Sequence, residues 1–576
     1  MTYEAENVHP ADPPKSCRQW AERIGVLSIL LVSVLFSGCT TGPREWICNH
    51  FKVGPNYAEP AAPIADQWRD GDHPEIQCEA TDYSYWWAVF NDPVLNRLVH
   101  ASYEQNLPLK TAGMRILEAR AQLAMVRGNL LPQQQQAVGS FARSQMSGNS
   151  YPFGDFALPK MAFDTWSAGF DATWELDFWG RYRRAIESAD ASLSAQIENY
   201  DDVLVILQAE VAATYIQLRT LENRLSLAQK NAALQKKTLR IAQDRFDQGF
   251  VSKLDVKQAE SILGATESLI PVLETAHRKA QNRLCTLLGL PPTDIEAELG
   301  GPGPIPVAPT TVAVGIPAEL LNRRPDVRRA ERTAAAQCAR IGIAESELYP
   351  HIAITGTIAY EAEYLNQLFT GNSVTGMVGP GFRWNILNYG RIRNDVRVQD
   401  ARFGQLVLQY QETVLRANEE VENAITAFLR EQVRVKLLER STKATAEAVE
   451  LANLQYEEGL IDFQRVVDSE RALVLQQDTL AESQGNVVLN LVAVYKALGG
   501  GWRMRYDPNR SLEMTPTEAP IEPAPRQTNQ PPIPLESLPP VLSPSPAEDI
   551  DPGYAATTSS VVFRVPMDPQ PGDSSP

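Results

Sequence analysis

The chain has 576 residues, of which 21% are charged, and its formal net charge is −17 at pH 7. Such an acidic chain is poorly suited to nucleic-acid binding, because phosphate recognition needs a basic face. The sequence contains no C-x-x-C or H-E-x-x-H pair, no G-x-S-x-G and no G-x-x-x-x-G-K-[ST] motif. We therefore predict no metal site, no cofactor and no catalytic centre, so that the protein is not an enzyme.

The N-terminus has the pattern of an export signal. Residues 24–36 form one apolar run, which three basic residues precede and Ser37-Gly38-Cys39 follows. The run is short for a membrane span, and small residues at its end are typical of a signal peptide. The pattern resembles a bacterial lipoprotein signal, which predicts removal of residues 1–38 and acylation of Cys39. The alternative is an uncleaved anchor.

Residues 39–90 then read as a lipid-anchored, extended segment with many prolines. Export brings Cys48 and Cys78 into an oxidising compartment, where the two can form a disulfide. At the other end, 16 of the chain's 41 prolines fall between residues 515 and 576. This composition, with few aromatic residues, predicts a disordered tail over 507–576.

One segment of the chain occurs twice. WELDFWGR begins at Trp174 and WNILNYGR begins at Trp384, and the same offset of 210 residues relates Tyr200 to Tyr410 and Leu288 to Leu498. We predict two copies of one unit, over 91–300 and 301–506. Two copies are too few for a solenoid, for which about three or more repeats are needed. The duplication instead suggests pseudosymmetry inside an oligomer.

Each copy contains strand-like segments that are long for a soluble protein. Apolar and polar residues alternate strictly over residues 165–178, whereas a soluble strand is usually about five or six residues long. A strand that crosses an outer membrane needs about 9–11 residues, with apolar side chains outward and aromatic residues near its ends. Residues 352–360 and the segment that includes Val378, Phe382, Trp384 and Ile386 alternate in the same way, and 134–146 is predicted as a strand by analogy.

Long helices follow the strands. Residues 182–248 and 392–458 contain no proline, so each predicts a helix of about 67 residues, or roughly 100 Å at 1.5 Å per residue. Such helices cannot be buried in one small core and must pack side by side as a bundle or a tube. Gly249 and Gly459 mark turns, after which a second helix returns. A further helix is predicted from Pro93, capped by Asp92, to about Asn129.

An ordered set of motifs resembles the TolC-like outer-membrane efflux proteins. The set comprises VGPNYAEP (53–60), WWAVFNDPVL (86–95), RRPDV (323–327) and the two strand ends and glycine turns. With the Cys39 signal, it points to the lipoprotein branch that serves inner-membrane pumps of the resistance-nodulation-division class. The resemblance covers residues 50–505.

The resemblance implies a mixed fold, a membrane β-barrel joined to a long α-helical barrel. It further implies a homotrimer in which each protomer gives four strands to one shared twelve-stranded barrel, and a periplasmic adaptor protein as partner. A shared barrel is also expected on physical grounds, because the unpaired backbone groups at an open sheet edge cannot face lipid. The implied function is a passive exit duct for small toxic compounds in the outer membrane. A duct for type I protein secretion and a periplasmic coiled-coil adaptor are the alternatives, and an adaptor has no need of the long alternating strands.

In this family, carboxylates and polar links narrow the inner end of the tunnel just past the glycine turns. Counted from Gly459, Asp468 occupies the position of a gate aspartate of the family. Some members have a second aspartate at the position where this chain has Arg465. An Asp–Arg pairing is then the expectation.

Three more residues near the turns are gate candidates with a structural alternative. Asp462 is also a natural helix N-cap, and Asp255 completes an S-x-x-D capping pattern with Ser252. Tyr456 either forms a hydrogen bond across the closed end or packs in a core.

Overall fold

The computed structural model describes residues 42–79, 81–145 and 162–510. The predicted signal peptide, Cys39 and the tail from residue 511 onward lie outside the described residues. The helices are α1 Pro43–Cys48, α2 Pro93–Gln105, α3 Leu107–Gly128, α4 Arg181–Asp247, α5 Lys253–Leu287, α6 Glu296–Leu299, α7 Leu320–Arg323, α8 Pro325–Ser346, α9 Arg391–Glu457 and α10 Phe463–Ala497. The strands are β1 Ile76–Gln77, β2 Gln134–Gln145, β3 Ala162–Glu175, β4 Val312–Ala313, β5 His351–Ala362 and β6 Val374–Arg383.

The predicted duplication is confirmed by the order of these elements. In the first copy, α3 leads into β2, β3, α4 and α5, and in the second copy α8 leads into β5, β6, α9 and α10. Both long helices have 67 residues and both return helices have 35. Two tryptophans at the offset of 210 even make the same contact, since Trp174 donates to the carbonyl of Leu130 and Trp384 to that of Leu348.

The strands form one antiparallel sheet in the order β2-β3-β5-β6. Phe170 lies beside Ile358 and Trp174 beside Ile354, whereas Asp171 lies beside Thr357. Because paired residues share a face, the register collects the apolar side chains on one face and the polar ones on the other. This confirms the predicted alternation. β6 ends at Arg383, however, so Trp384 and Ile386 lie just beyond it.

The single helix predicted from Pro93 to Asn129 is wrong, because the chain breaks at Asn106. Asn106 has an extended backbone and its side chain accepts a hydrogen bond from the amide of Leu109, so that it caps α3. Pro108 occupies the first turn of α3, where it lacks the amide that a continuous helix would need. The predicted cap at Asp92 is confirmed, since its side chain accepts from Val94 and Leu95.

The N-terminal segment runs along the helices, and its course rules out the predicted disulfide. Residues near Cys48 contact the start of α4, where the amide of Val53 donates to the carbonyl of Trp179. Cys78 instead follows β1, which pairs with β4, and neighbouring Glu75 lies 3.7 Å from Lys436 of α9. Lys436 is 45 residues into α9, or about 68 Å from its start. Cys48 and Cys78 are accordingly free cysteines.

Among the residues that the structure describes, no helix is apolar over a stretch long enough to cross a membrane.

Candidate functional site

The turns at Gly249 and Gly459 end the long helices with the same geometry. Both glycines have a left-handed backbone, with φ of 79° and 78°. At each turn the residue after the glycine donates to a carbonyl five positions earlier, as Leu460 does to Gln455. These are Schellman motifs, which need a residue that accepts positive φ and thus favour glycine. The geometry explains why a glycine stands at the same place in both copies.

A small apolar cluster holds the four helix ends together next to the turns. It draws residues from all four helices, which means that both copies contribute to it. Its buried members are Ala242, Val256, Ala259, Ile262, Ala452, Tyr456, Phe463, Val466 and Val467.

The two aspartates with a capping alternative do not cap. Asp462 occupies the N-cap position of α10 with an extended backbone, but its side chain accepts no bond from the helix amides. Ser252 holds the same position on α5, and its hydroxyl donates to the Asp255 carboxylate at 3.0 Å rather than capping. The predicted capping box is therefore not formed, because the Ser252 hydroxyl is directed to Asp255 and not to the backbone. Both carboxylates remain available for other contacts.

Asp468 and Arg465 lie on the exposed side of α10 and do not contact each other. Asp468 accepts from Gln464 at 3.0 Å and lies 3.8 Å from Arg471. Arg465 forms no ion pair with any residue in the described part of its own chain. The Asp–Arg pairing expected at the gate is thus not formed between Asp468 and Arg465 within the described part of this chain.

Tyr456 packs in the apolar cluster, in line with the structural alternative. Its ring lies 5.0 Å from that of Phe463, and its buried hydroxyl has no hydrogen-bond partner among the described residues. Burial raises the pKa of Tyr456, with Asp255 adding to the effect. The ring therefore contributes packing and, as described next, a surface for a cation.

Arg245 was not predicted as a site residue, yet it joins the two copies at the end of the long helices next to the turns. Its guanidinium donates to the carbonyl of Tyr456 and, at 3.2 Å, to that of Glu457. It also lies 4.9 Å from the centre of the Tyr456 ring. The two carbonyls belong to the last turn of α9, at the negative end of the helix dipole, where a cation is favoured. We call this contact the Arg245 clamp.

The Arg245 clamp is the last in a row of polar contacts between the copies. Four residues of α4 at intervals of seven each contact the second copy. Arg224 forms two hydrogen bonds to Asp478 at 2.7 and 2.8 Å, Asn231 one to Gln477 at 2.8 Å, and Thr238 one to Glu470 at 2.7 Å. Residues seven apart lie on one stripe of a helix, so these contacts form a continuous line. We call it the polar seam, and the spacing of 224, 231, 238 and 245 is the signal that sequence reasoning missed.

Glu470 is the buried member of the polar seam. One of its carboxylate oxygens accepts from Thr238, and the other has no partner among the described residues. Burial raises the pKa of Glu470, and its neighbours Thr238 and Asn453 are neutral groups that oppose the shift only in part. Burial at this position therefore favours the protonated, neutral form of the Glu470 side chain.

No group of three or more His, Cys, Asp or Glu side chains in the described ranges is arranged to hold a metal ion.

Both copies match a known family. The profile of the outer membrane efflux protein family matches residues 98–290 and 316–500. Nodulation protein T of Rhizobium leguminosarum bv. trifolii is 30% identical over 475 residues, which cover 82% of this chain and 96% of that protein. The pyoverdine export outer membrane protein OpmQ of Pseudomonas putida is 30% identical over 427 residues, or 73% of this chain and 88% of that protein.

Solved structures agree with this assignment. The outer-membrane channel OprN has a TM-score of 0.73 at 31% identity, with 78% of this chain and 99% of that chain covered. The Campylobacter jejuni CmeC outer membrane channel, at 21% identity and a TM-score of 0.72, shares the fold over 81% of this chain and 98% of its own. The predicted resemblance is confirmed: the chain belongs to the outer membrane efflux protein family, and it is an exit duct of the outer membrane rather than an enzyme.

Proposed function

We propose that three copies of the chain close one twelve-stranded barrel, and that their helices continue it as a periplasmic tube. The observation that carries this proposal is the four-stranded sheet. One of its faces is apolar, and its outer strands β2 and β6 each pair with only one other described strand. A sheet with open edges cannot stand in lipid, whereas three sheets of four strands can close into an even-numbered barrel.

The duct works passively, with a periplasmic adaptor protein and an inner-membrane pump of the resistance-nodulation-division class as partners. The pump supplies the energy. Relatives are named for pyoverdine export and for toluene efflux, which are chemically different cargoes. Small molecules are therefore the proposed substrate class. Acylation of Cys39 would anchor the N-terminus to the same membrane.

The test of the proposal is the mass of the assembly together with its conductance. The full-length protein, extracted in detergent, should have the mass of a trimer and should form channels in planar bilayers. A monomer that conducts on its own would show that the barrel is not shared between protomers.

The inner end of the tube is the proposed gate. In a trimer, Asp468 and Arg465 each occur three times around the axis, and Arg465 can reach an acidic residue of the next protomer. The polar seam sets how far the second hairpin, α9 with α10, can move from the first. An exposed ion pair contributes only about 0–1 kcal/mol. The exposed pairs therefore change the closed–open equilibrium only slightly, whereas the Arg245 clamp and the polar seam provide most of the resistance to opening.

A further inference from the structure

An aromatic cluster lies where the N-terminal segment meets the sheet. The ring of Trp46 in α1 lies 4.8 Å from Phe51 and 5.3 Å from both Phe178 and Trp179. Trp179 in turn stacks on Tyr349 at 4.5 Å, which fixes the inner side of the cluster against the protein. The cluster is therefore a built structure and not a loose segment.

The outer side of this cluster is apolar and exposed. Ile47 is 58% exposed, Phe51 50% and Phe178 46%. Large apolar side chains that are exposed side by side on an ordered surface usually mark a binding site for a protein or a membrane. We call Trp46, Ile47, Phe51 and Phe178 the aromatic patch.

The patch is fastened at the end of the sheet from which the long helices start. Arg183, in the first turn of α4, donates to the carbonyls of His50 at 2.6 Å and Phe51 at 2.9 Å. Phe178 lies three residues past the end of β3, and the amide of Leu176 still bonds to Ile352 of β5. The patch thus sits at the ends of the two central strands. The outer strands β2 and β6, through which neighbouring protomers would pair, lie on either side.

We infer that the aromatic patch inserts into the periplasmic leaflet of the outer membrane and binds lipid there. This inference rests on the proposed barrel, because the barrel sets the depth of the strand ends. Aromatic side chains are enriched at such interfaces, where a ring fits both the apolar layer and the headgroups. Arg44, on the exposed surface of α1, forms no ion pair with another described residue and is free to meet lipid phosphates.

The short connection between Cys39 and α1 also supports lipid as the binding partner of the patch. Only three residues lie between Cys39 and Pro43, so the two are at most about 14 Å apart when the chain is fully extended. If Cys39 is acylated, α1 cannot be farther than that from the lipid attachment point. The patch would then lie at the membrane surface and fix the depth of the N-terminal segment.

The second copy has no counterpart of the aromatic patch, so the patch belongs to the N-terminal segment rather than to the duplicated unit. At the offset of 210, Asn388 and Tyr389 replace Phe178 and Trp179, and Tyr389 is exposed. A general property of the duplicated unit would have appeared in both copies. The contacts of Trp46 with Phe178 and Trp179 instead depend on the docked N-terminal segment.

The test measures the contact with lipid directly. Cys48 and Cys78, the exposed free cysteines, are changed to serine in the full-length chain, and one new cysteine is introduced as Ile47→Cys, Leu254→Cys or Val378→Cys. Each variant carries an NBD fluorophore in vesicles of phosphatidylethanolamine and phosphatidylglycerol. A second set of vesicles contains lipid with bromine just below the headgroup. The background without a new cysteine corrects for labelling elsewhere.

We expect bromolipid to quench the fluorophore at position 47 as it does at position 378, on the apolar face of β6. Leu254 is the matched control, since it is 64% exposed but lies beside the far helix turn, and it should not be quenched. Quenching at 378 without quenching at 47 overturns the inference and leaves the barrel intact. Absence of quenching at 378 overturns the proposed barrel, and the aromatic patch fails with it.

Discussion

Replacing Arg245 by alanine should open the inner end of the duct. The change removes two charge-assisted hydrogen bonds to the carbonyls of Tyr456 and Glu457 and the contact with the Tyr456 ring. A hydrogen bond to a charged group contributes about 1.5–3 kcal/mol, and a partly exposed cation over an aromatic ring about 0.5–1 kcal/mol. Water reaches the Glu457 side and weakens the bond there, so we take about 2 kcal/mol for the whole clamp, below the sum of these values. That is roughly a 30-fold shift in the closed–open equilibrium of each protomer.

The assay is single-channel recording in planar bilayers, with the open probability as the readout. If the three protomers open in one step, their losses add to about 6 kcal/mol and the open probability of the variant should rise strongly above that of the parent. The chain contains its own matched control, because Gln455 stands at the position equivalent to Arg245 in the second copy. Gln455 is exposed, and Gln455→Ala should conduct like the parent.

Two results would refute this reasoning. One is an Arg245→Ala protein that assembles normally but has the parent's open probability, which would mean that the clamp persists in the open state. The other is an equal effect of Gln455→Ala, which would mean that any change next to the turns disturbs the gate.

Three further predictions concern the anchor, the exposed gate residues and the seam. Mass spectrometry of the mature protein should find an acyl-modified Cys39 at its N-terminus, and a retained leader would contradict the lipoprotein assignment. Arg465→Ser should raise single-channel conductance and Asp468→Ala should lower cation selectivity, whereas Glu457→Ala should change neither; parent values in both variants would make them ordinary surface residues. Because the pKa of Glu470 is raised by burial, its proton stabilises the native state at low pH and this stability falls as pH rises above the ordinary glutamate value. Glu470→Gln should therefore gain Tm relative to the parent as pH rises above the ordinary glutamate value, and a difference that is constant with pH would show that Glu470 does not titrate in this way.

The periodic parts of the fold were predictable from the sequence because their physical cause is itself periodic. Alternation over residues 165–178 follows from a pleated strand with two different environments, and the structure confirms it in the register of β3 with β5. The absence of proline over 182–248 and 392–458 sets the length of the long helices to within a residue at each end. The same offset then relates their turns and return helices.

Single polar contacts were not predictable in the same way. Arg245 and Thr238 look like ordinary surface residues of a long helix, and only the second copy, more than 200 residues away, gives them partners. Ser252 and Asp255 match a capping pattern, yet their side chains bond to each other. A local pattern states which bonds a side chain is able to make, whereas the tertiary neighbours decide which bond is made.

The apolar cluster limits what kind of motion can open the duct. If the second hairpin separated from the first, Tyr456, Phe463, Val466 and Val467 would lose buried surface. At about 1.5–3 kcal/mol for each such side chain, separation would cost roughly 6–12 kcal/mol per protomer. The Arg245 clamp contributes only about 2 kcal/mol by the values used above. A motion that keeps the cluster packed and breaks only polar contacts is therefore far less costly. We propose that the gate opens by a motion of the second hairpin that keeps the apolar cluster packed, so that the polar contacts, rather than the core, determine the resistance to opening.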